Sequence, residues 1–356
     1  MINLYPVLKP FVFRMDPERA HNLTIAALKK TGAFLPAACE DDPALAVKAF
    51  GLTFPNPIGL AAGFDKDAEV IDPMLRLGFG FTEAGTVTPR PQAGNDKPRL
   101  FRLTKDQAVI NRFGFNNQGL DAFAKRLTAR QHRPGIVGAN VGANKDSTDR
   151  TADYEAGIEA LYGLSQYFTV NISSPNTPGL RALQSSAALD DLLIRVSAVR
   201  ARKMDEGYEY TPILLKVAPD LTDQDKGDIV AALISSDFDG LIVSNTTITR
   251  PDSLLSSDRG ETGGLSGAPL TALALEALSD FYTLLGGKMP IIGVGGVASG
   301  ADAYARIKAG ATLIQLYSGL VYHGTGLVGE IKSDLLKRLT ADGFDRIQDA
   351  IGTAKL

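Results

Sequence analysis

Between about residues 57 and 340 the chain alternates two patterns. Short apolar runs recur, each ending at a polar or glycine-rich turn, and longer stretches with helical spacing lie between them. The runs are Ile58–Ala61, Phe81–Ala84, Ile136–Asn140, Tyr167–Asn171, Ile213–Val217, Gly240–Ser244, Pro290–Val294 and Leu313–Leu316. Segments such as Ala188–Met204, Thr222–Ser235 and Leu270–Leu285 are long enough for helices. Strand–helix alternation of this kind predicts parallel strands joined by crossover helices. Eight of them favour a closed α/β fold, the (β/α)₈ TIM barrel, over an open doubly wound sheet.

Two regions break the rhythm. Residues 86–118 form an insertion in which Leu100-Phe-Arg-Leu-Thr104 and Ala108-Val-Ile-Asn111 flank the polar turn Lys105-Asp106-Gln107. It reads as a hairpin over one end of the barrel, because loops this long in a compact domain are usually functional or disordered and its apolar content argues against disorder. Residues 1–40 read as a small helical extension, leaving 41–356 for the barrel. Leu4, Val7, Leu8 and Phe11 share one helical face. Asp16-Pro17 is a helix start, and Ala20, Leu23, Ala27 and Leu28 continue an apolar face to a stop at Gly32. Five basic residues (Lys9, Arg14, Arg19, Lys29, Lys30) stand against Asp16 and Glu18. Two readings fit: a plain cap on the barrel, or a membrane-surface element whose apolar faces enter the lipid boundary while lysines meet anionic headgroups.

Composition narrows the function classes. A formal net charge of −3 opposes broad electrostatic binding of nucleic acid. Cys39 is the only cysteine, and His21, His132 and His323 are scattered, so neither a disulfide framework nor a metal-ligand spacing is available. No apolar run reaches the ~18 residues of a membrane span. The start lacks the basic region and apolar core of a signal peptide.

The polar residues at the strand ends carry the chemistry. Lys66 and Thr86 follow the first two strands, Asn140 and Asn171 end the third and fourth, and Lys216 lies near the end of the fifth. Ser244-Asn245-Thr246 end the sixth, Gly293-Val-Gly295-Gly296 the seventh, and Tyr317-Ser318 follow the eighth. In a barrel these ends converge on one mouth, where active sites sit. The loop Ile172-Ser-Ser-Pro-Asn176-Thr-Pro-Gly179 holds hydroxyls and an amide between two prolines, which stiffen it. Such rigidity suits a site for a small polar substrate, although a tight solvent-facing loop has the same composition. Lys66 and Lys216 beside apolar strands want an anion: a bound carboxylate, phosphate or reduced ring, or simply Asp65 and Asp220. Asn111, Asn140, Asn171, Asn176 and Asn245 suit a heterocycle with adjacent C=O and N–H groups. The Gly293–Gly296 run is either a structural turn or, with Tyr317 and Ser318, a phosphate cradle. Gly264-Leu-Ser-Gly-Ala268 misses a nucleophile elbow by its last residue, and neither Ser266 nor Ser174 has an evident histidine partner.

Taken together, Ala61-Ala-Gly-Phe-Asp-Lys66, Glu83-Ala-Gly-Thr-Val-Thr-Pro-Arg-Pro-Gln92, Asn111-Arg-Phe-Gly-Phe-Asn-Asn117, Asn171-Ile-Ser-Ser-Pro-Asn-Thr177, Gly263-Gly-Leu-Ser-Gly267 and Gly293-Val-Gly-Gly296 resemble the quinone-dependent (class 2) dihydroorotate dehydrogenases across nearly the whole chain. The resemblance implies an FMN enzyme of pyrimidine synthesis that oxidises (S)-dihydroorotate to orotate and is reoxidised by a membrane quinone. It implies Ser174 as catalytic base. Substrate would be held by Lys66, Asn111, Arg112, Phe113, Gly114, Phe115, Asn171, Asn176, Asn245 and Thr246. FMN would be held by Ala62, Gly63, Phe64, Asp65, Lys66, Thr86, Asn140, Asn171, Lys216, Ser244, Gly267, Gly296, Tyr317 and Ser318. His21 and Arg102 would line a quinone tunnel, and the N-terminal helices would sit peripherally on the cytoplasmic face of the cell (inner) membrane. Soluble class 1 enzymes carry Cys in place of Ser174 and lack the helical extension. One departure, Tyr322-His-Gly-Thr-Gly326 where the family commonly has Gly-Pro-Pro, is expected to alter only a local loop.

Overall fold

The computed structural model describes residues 5–36, 38, 40–177, 179–184 and 186–354, so Leu4, Cys39 and Pro178 lie outside the described residues. In chain order the strands are β1 (Val47–Ala49), β2 (Leu52–Phe54), β3 (Ile58–Leu60), β4 (Phe81–Val87), β5 (Leu100–Leu103), β6 (Ala108–Asn111) and β7 (Ile136–Val141). They continue with β8 (Tyr167–Asn171), β9 (Ile213–Val217), β10 (Gly240–Val243), β11 (Gly264–Gly267), β12 (Ile291–Val294) and β13 (Leu313–Leu316). The helices are α1 (Tyr5–Val12), α2 (Pro17–Thr31), α3 (Ile71–Arg76), α4 (Leu120–Thr128), α5 (Arg150–Leu161), α6 (Ser186–Asp205), α7 (Asp223–Ile234), α8 (Thr271–Leu285), α9 (Gly300–Lys308), α10 (Ser318–His323) and α11 (Leu327–Asp342).

Eight parallel strands close a barrel in the order β10-β12-β13-β3-β4-β7-β8-β9, the (β/α)₈ architecture expected. Large rings fit against glycines on neighbouring strands. A Cβ on Gly59 would lie 2.2 Å from the Phe81 ring, and one on Gly138 2.1 Å from the Tyr167 ring, so these small residues make room for the barrel's filling. Helix starts follow their capping chemistry. Thr222 and Asp225 form a reciprocal capping box on α7, and Asp149 and Ser299 cap α5 and α9.

Sequence pattern missed two pairings. Strands β1 and β2 form a hairpin ahead of the barrel, turning through Phe50 (φ 53°) and Gly51 (φ 75°). A phenylalanine is not a turn signal, but its ring packs edge-on to Phe54, whose own ring meets Phe81 at 5.1 Å. Strand β11 pairs antiparallel with β6, adding a third strand to the predicted β5–β6 hairpin. Gly264–Gly267 is therefore extended chain, not a strand-to-helix elbow.

At the N-terminus, the Asp16 carboxylate accepts the Arg19 N–H at 2.8 Å, as the Asp-Pro start predicts. Gly32 has an ordinary right-handed backbone rather than a left-handed cap. It is small because a Cβ would stand 2.3 Å from the Pro73 ring. The Tyr322–Gly326 departure has more than a local effect. Tyr322 packs edge-on to Phe13 at 5.6 Å and donates its hydroxyl to Ala108 O at 2.6 Å, while its carbonyl accepts Lys9 Nζ at 3.0 Å. A Cβ on Gly324 would meet the Tyr5 ring at 2.4 Å. This loop is the seat of α1.

Candidate active site at the barrel mouth

A continuous cavity of about 660 Å³ runs from the C-terminal ends of the barrel strands out between α1 and α2. Its inner wall brings together Ala62, Gly63, Phe64, Lys66, Thr86, Asn171, Ser174, Asn176, Lys216, Ser244, Asn245, Thr246, Gly296, Tyr317 and Ser318. The β6 end and the turn after it add Asn111, Phe113, Gly114 and Phe115, and His21 and Arg102 lie on the outer wall. Residues far apart in sequence thus share one space.

Its floor is a closed polar network. Thr86 Oγ1 donates to Asn140 Oδ1 at 2.5 Å, and Asn171 Nδ2 donates to Thr86 Oγ1 at 2.9 Å. Beneath them Asn140 Nδ2 donates to Glu83 Oε1 at 2.7 Å, and Glu83 Oε2 accepts from Gln315 Nε2 at 2.7 Å and Tyr167 at 3.1 Å. The network climbs the far wall: Asn245 Nδ2 donates to Ser173 Oγ at 2.9 Å, and Ser173 Oγ to Asn171 Oδ1 at 2.8 Å. Glu83 and Gln315 were not singled out by sequence, although a carboxylate inside an apolar strand is itself a signal, since buried charge demands partners.

The two cations differ from this hydrogen-bonded floor. Lys66 Nζ sits 4.1 Å from the centre of the Phe113 ring, and neither Lys66 nor Lys216 makes a side-chain hydrogen bond or ion pair with another described residue. Burial pulls the Lys66 ammonium down to about 8, and burial also lowers Lys216, against the attraction of Glu83. The bland partners are otherwise engaged. Asp65 accepts the Glu69 and Val70 N–H groups at 2.8 Å each and, chiefly through burial, is pushed up to about 6. Asp220 pairs with Arg181 at 3.0 Å.

Four expected positions do not line the cavity. The Asp65 side chain turns to the start of α3, and Asn140 lies under Thr86. Arg112 points outward to Glu261 at 2.6 Å. Gly267 serves the fold: at φ +93°, a Cβ would sit 2.4 Å from Gln107 O. Ser174 is buried, and its Oγ accepts the Asn176 N–H at 3.2 Å.

On the β12–β13 side, Gly295 and Gly296 have positive φ (113° and 67°), and Thr271 Oγ1 donates to Gly296 O at 3.0 Å. Arg306, buried in α9, donates to the carbonyls of Gly295 and Thr271, anchoring the turn from behind. Ser318 Oγ lies 2.7 Å from Ser266 Oγ, so β11 contributes a hydroxyl to this side of the wall.

The outer half is apolar. Tyr5, Leu8, Val12, Phe13, Leu23 and Leu28 contribute to it. His21 packs edge-on to Phe64 at 5.5 Å and its Nδ1 lies 3.3 Å from the Tyr317 hydroxyl. Burial, helped by Lys66, drops His21 to about 3, so the ring is neutral at physiological pH. Arg102 donates to Val12 O at 3.0 Å and to Met15 O, holding the α1–α2 corner.

Comparison with known proteins identifies the family. Residues 44–339 match the family model described as dihydroorotate dehydrogenase. The chain is 56% identical over 353 residues, covering 99% of both sequences, to a dihydroorotate dehydrogenase (quinone) of Xanthobacter autotrophicus. It is 55% identical over 351 residues, again 99% of each, to one of Parvibaculum lavamentivorans. A crystal structure of the Eimeria tenella dihydroorotate dehydrogenase in complex with ferulenol superposes with a TM-score of 0.92 at 40% identity, covering 99% of both chains. A full-length match, over a barrel whose mouth gathers the expected lysines, asparagines and serine, places the chain in the quinone-dependent dihydroorotate dehydrogenase family.

Proposed function

We propose that the protein oxidises (S)-dihydroorotate to orotate in pyrimidine biosynthesis and passes the electrons through FMN to a membrane quinone. The observation that carries this reading is the pair of buried ammonium groups, Lys66 and Lys216, without a hydrogen bond or ion pair among the described residues and facing a cavity that also holds Ser174 and opens between two apolar helices. Two such cations are costly without an anion to meet, and an anionic substrate together with an electron-rich ring supplies one to each. Residues around the cavity fit FMN. The Gly295–Gly296 turn with Ser318 offers close backbone approach to a phosphate, and Thr86, Asn171 and Lys216 face where a polar ring edge would lie. Ala62–Phe64, Ser244, Gly296 and Tyr317 complete that set.

FMN, when bound, supplies the two-electron acceptor. Ser174 Oγ would take the proton from C5 of dihydroorotate while its own hydroxyl proton passes to water, and the hydride from C6 would go to the bound acceptor. Lys66 meets the substrate carboxylate, while Asn111, Asn171, Asn176, Asn245 and Thr246 orient the ring, which is mainly a positioning contribution. Lys216 would supply positive charge against the anionic reduced form of the cofactor.

Residues 1–40 form the quinone and membrane module of this reading, with His21 and Arg102 along the quinone path. Supporting it, Val7, Leu8 and Phe11, all on α1, are 67%, 54% and 64% exposed. Among the described residues no helix is long and apolar enough to cross a membrane, so attachment would be peripheral, on the cytoplasmic face. Anaerobic mixing of the purified yellow protein with dihydroorotate tests the assignment: the flavin absorbance bleaches within seconds. A persistent yellow colour would refute the substrate, and a colourless protein the cofactor.

A further inference from the structure

A chain of hydrogen bonds runs from α2 to the serine of the cavity. Glu18, in the first turn of α2, is buried, and its carboxylate accepts Arg99 Nη2 at 2.8 Å and Nε at 3.1 Å. The guanidinium turns its other edge to the loop before it, where Nη1 donates to Ala93 O at 2.7 Å and Asn95 O at 2.8 Å. Gly94, between them, has φ +80°, and a Cβ there would lie 2.2 Å from Phe113 O. The loop is pressed directly onto the segment that lines the substrate end of the cavity.

Asn95 carries the contact inward. Its N–H donates to Phe113 O at 2.9 Å, and its Nδ2 to Arg112 O at 3.0 Å and Asn176 O at 3.1 Å. Asn176 in turn donates its N–H to Ser174 Oγ at 3.2 Å and its Nδ2 toward Asn111 Oδ1 at 3.4 Å. Each link is buried or partly buried, so water does not substitute freely for a lost partner.

We propose that Glu18 is a positioning residue for dihydroorotate binding, acting through Arg99 and Asn95 on Asn176. The N-terminal helices then do more than wall the quinone end: one of them holds the substrate loop in shape. A guanidinium fork engaged by a carboxylate and two carbonyls has one orientation. Neutralising the carboxylate leaves a buried cation that must seek other acceptors, and the loop it holds loses its anchor. Lys97, 3.3 Å from Glu18 but mostly exposed, is too solvated to take over.

The inference rests on dihydroorotate occupying the Asn111–Asn176 end. It is tested with full-length FMN-loaded protein carrying Glu18→Gln, Asn95→Ala or both, by anaerobic flavin reduction across dihydroorotate concentrations. Each single change is expected to raise the half-saturating concentration about tenfold, within what a displacement of about 1 Å can cost. The limiting rate should stay within about threefold, the split expected when binding geometry rather than chemistry is lost. The double variant should be no worse than the poorer single, because both act on one relay. Amide exchange at Asn95, Arg112 and Asn176 should quicken in Glu18→Gln; this readout needs no turnover. Multiplying effects in the double variant, or an unchanged half-saturation in Glu18→Gln, would overturn the proposal. A lowered melting temperature with unaltered half-saturation would overturn it too, by making the pair merely structural. If dihydroorotate fails to bleach even the unaltered protein, the substrate reading falls. Amide exchange then decides the relay alone, unchanged protection refuting it.

Discussion

At the inner end of the cavity, Glu83, Thr86, Asn140, Asn171, Ser173 and Asn245 bond to one another, and the lysines above them are left for a ligand. At the outer end, α1 and α2 present Leu8, Val12 and Leu23 to the same space and leave Val7 and Phe11 in solvent. The inner end is fixed before any ligand arrives, which is what proton and hydride transfer need. The outer end offers contact area with few directional bonds, which suits a greasy, chemically simple partner entering from a lipid surface. On the proposed reading, one cavity supports two half-reactions because its two halves rely on different forces.

The largest expected effect tests the inner end. Ser174→Ala should keep FMN and slow anaerobic flavin reduction by about 10²–10⁴, the span of a lost general base; reduction at the normal rate would remove Ser174 from the mechanism. At the outer end, Phe11→Glu combined with Leu8→Glu should weaken vesicle binding and oxidation by long-tailed quinones by about 10- to 100-fold, from the burial worth of such side chains. Flavin reduction should not change. If vesicle binding survives, α1 is only a cap. The smallest effect is a pH dependence. Lys66 is a cation below about 8 and neutral above it, because burial has lowered its proton affinity. Dihydroorotate affinity should therefore be flat at lower pH and fall by up to about tenfold per pH unit above that point, since each further unit removes most of the remaining ammonium. Affinity that stays constant into the alkaline range would remove Lys66 as the carboxylate's partner.

How legible these features were depended on their range in sequence. All eight barrel strands and the three quoted helices lie within a residue or a few of where apolar runs placed them, since a strand buried in a barrel must be apolar whatever surrounds it. The β1–β2 hairpin escaped because its turn uses Phe50, tolerated only through a ring contact the local sequence does not encode. Strand β11 escaped because Gly264-Leu-Ser-Gly267 has little strand character until β6 offers it a partner. Arg112 and Asp65 sit in the expected motifs, yet their side chains point to Glu261 and to the start of α3. A motif fixes which residue stands at a strand end, not where its side chain turns.

The alternation of strands and helices, the polar strand ends, and the resemblance that names the chemistry are legible in the residues alone. These follow from local periodicity and from residue types that only certain reactions require. Which acids are already occupied emerges only on folding, leaving Lys66 and Lys216 without an ion pair among the described residues, as does the route from Glu18 to Ser174 through Arg99, Asn95 and Asn176. Partnership between charges is settled by distances of a few ångströms across long sequence separations. Desolvation is likewise a property of the packed interior, not of any segment read alone.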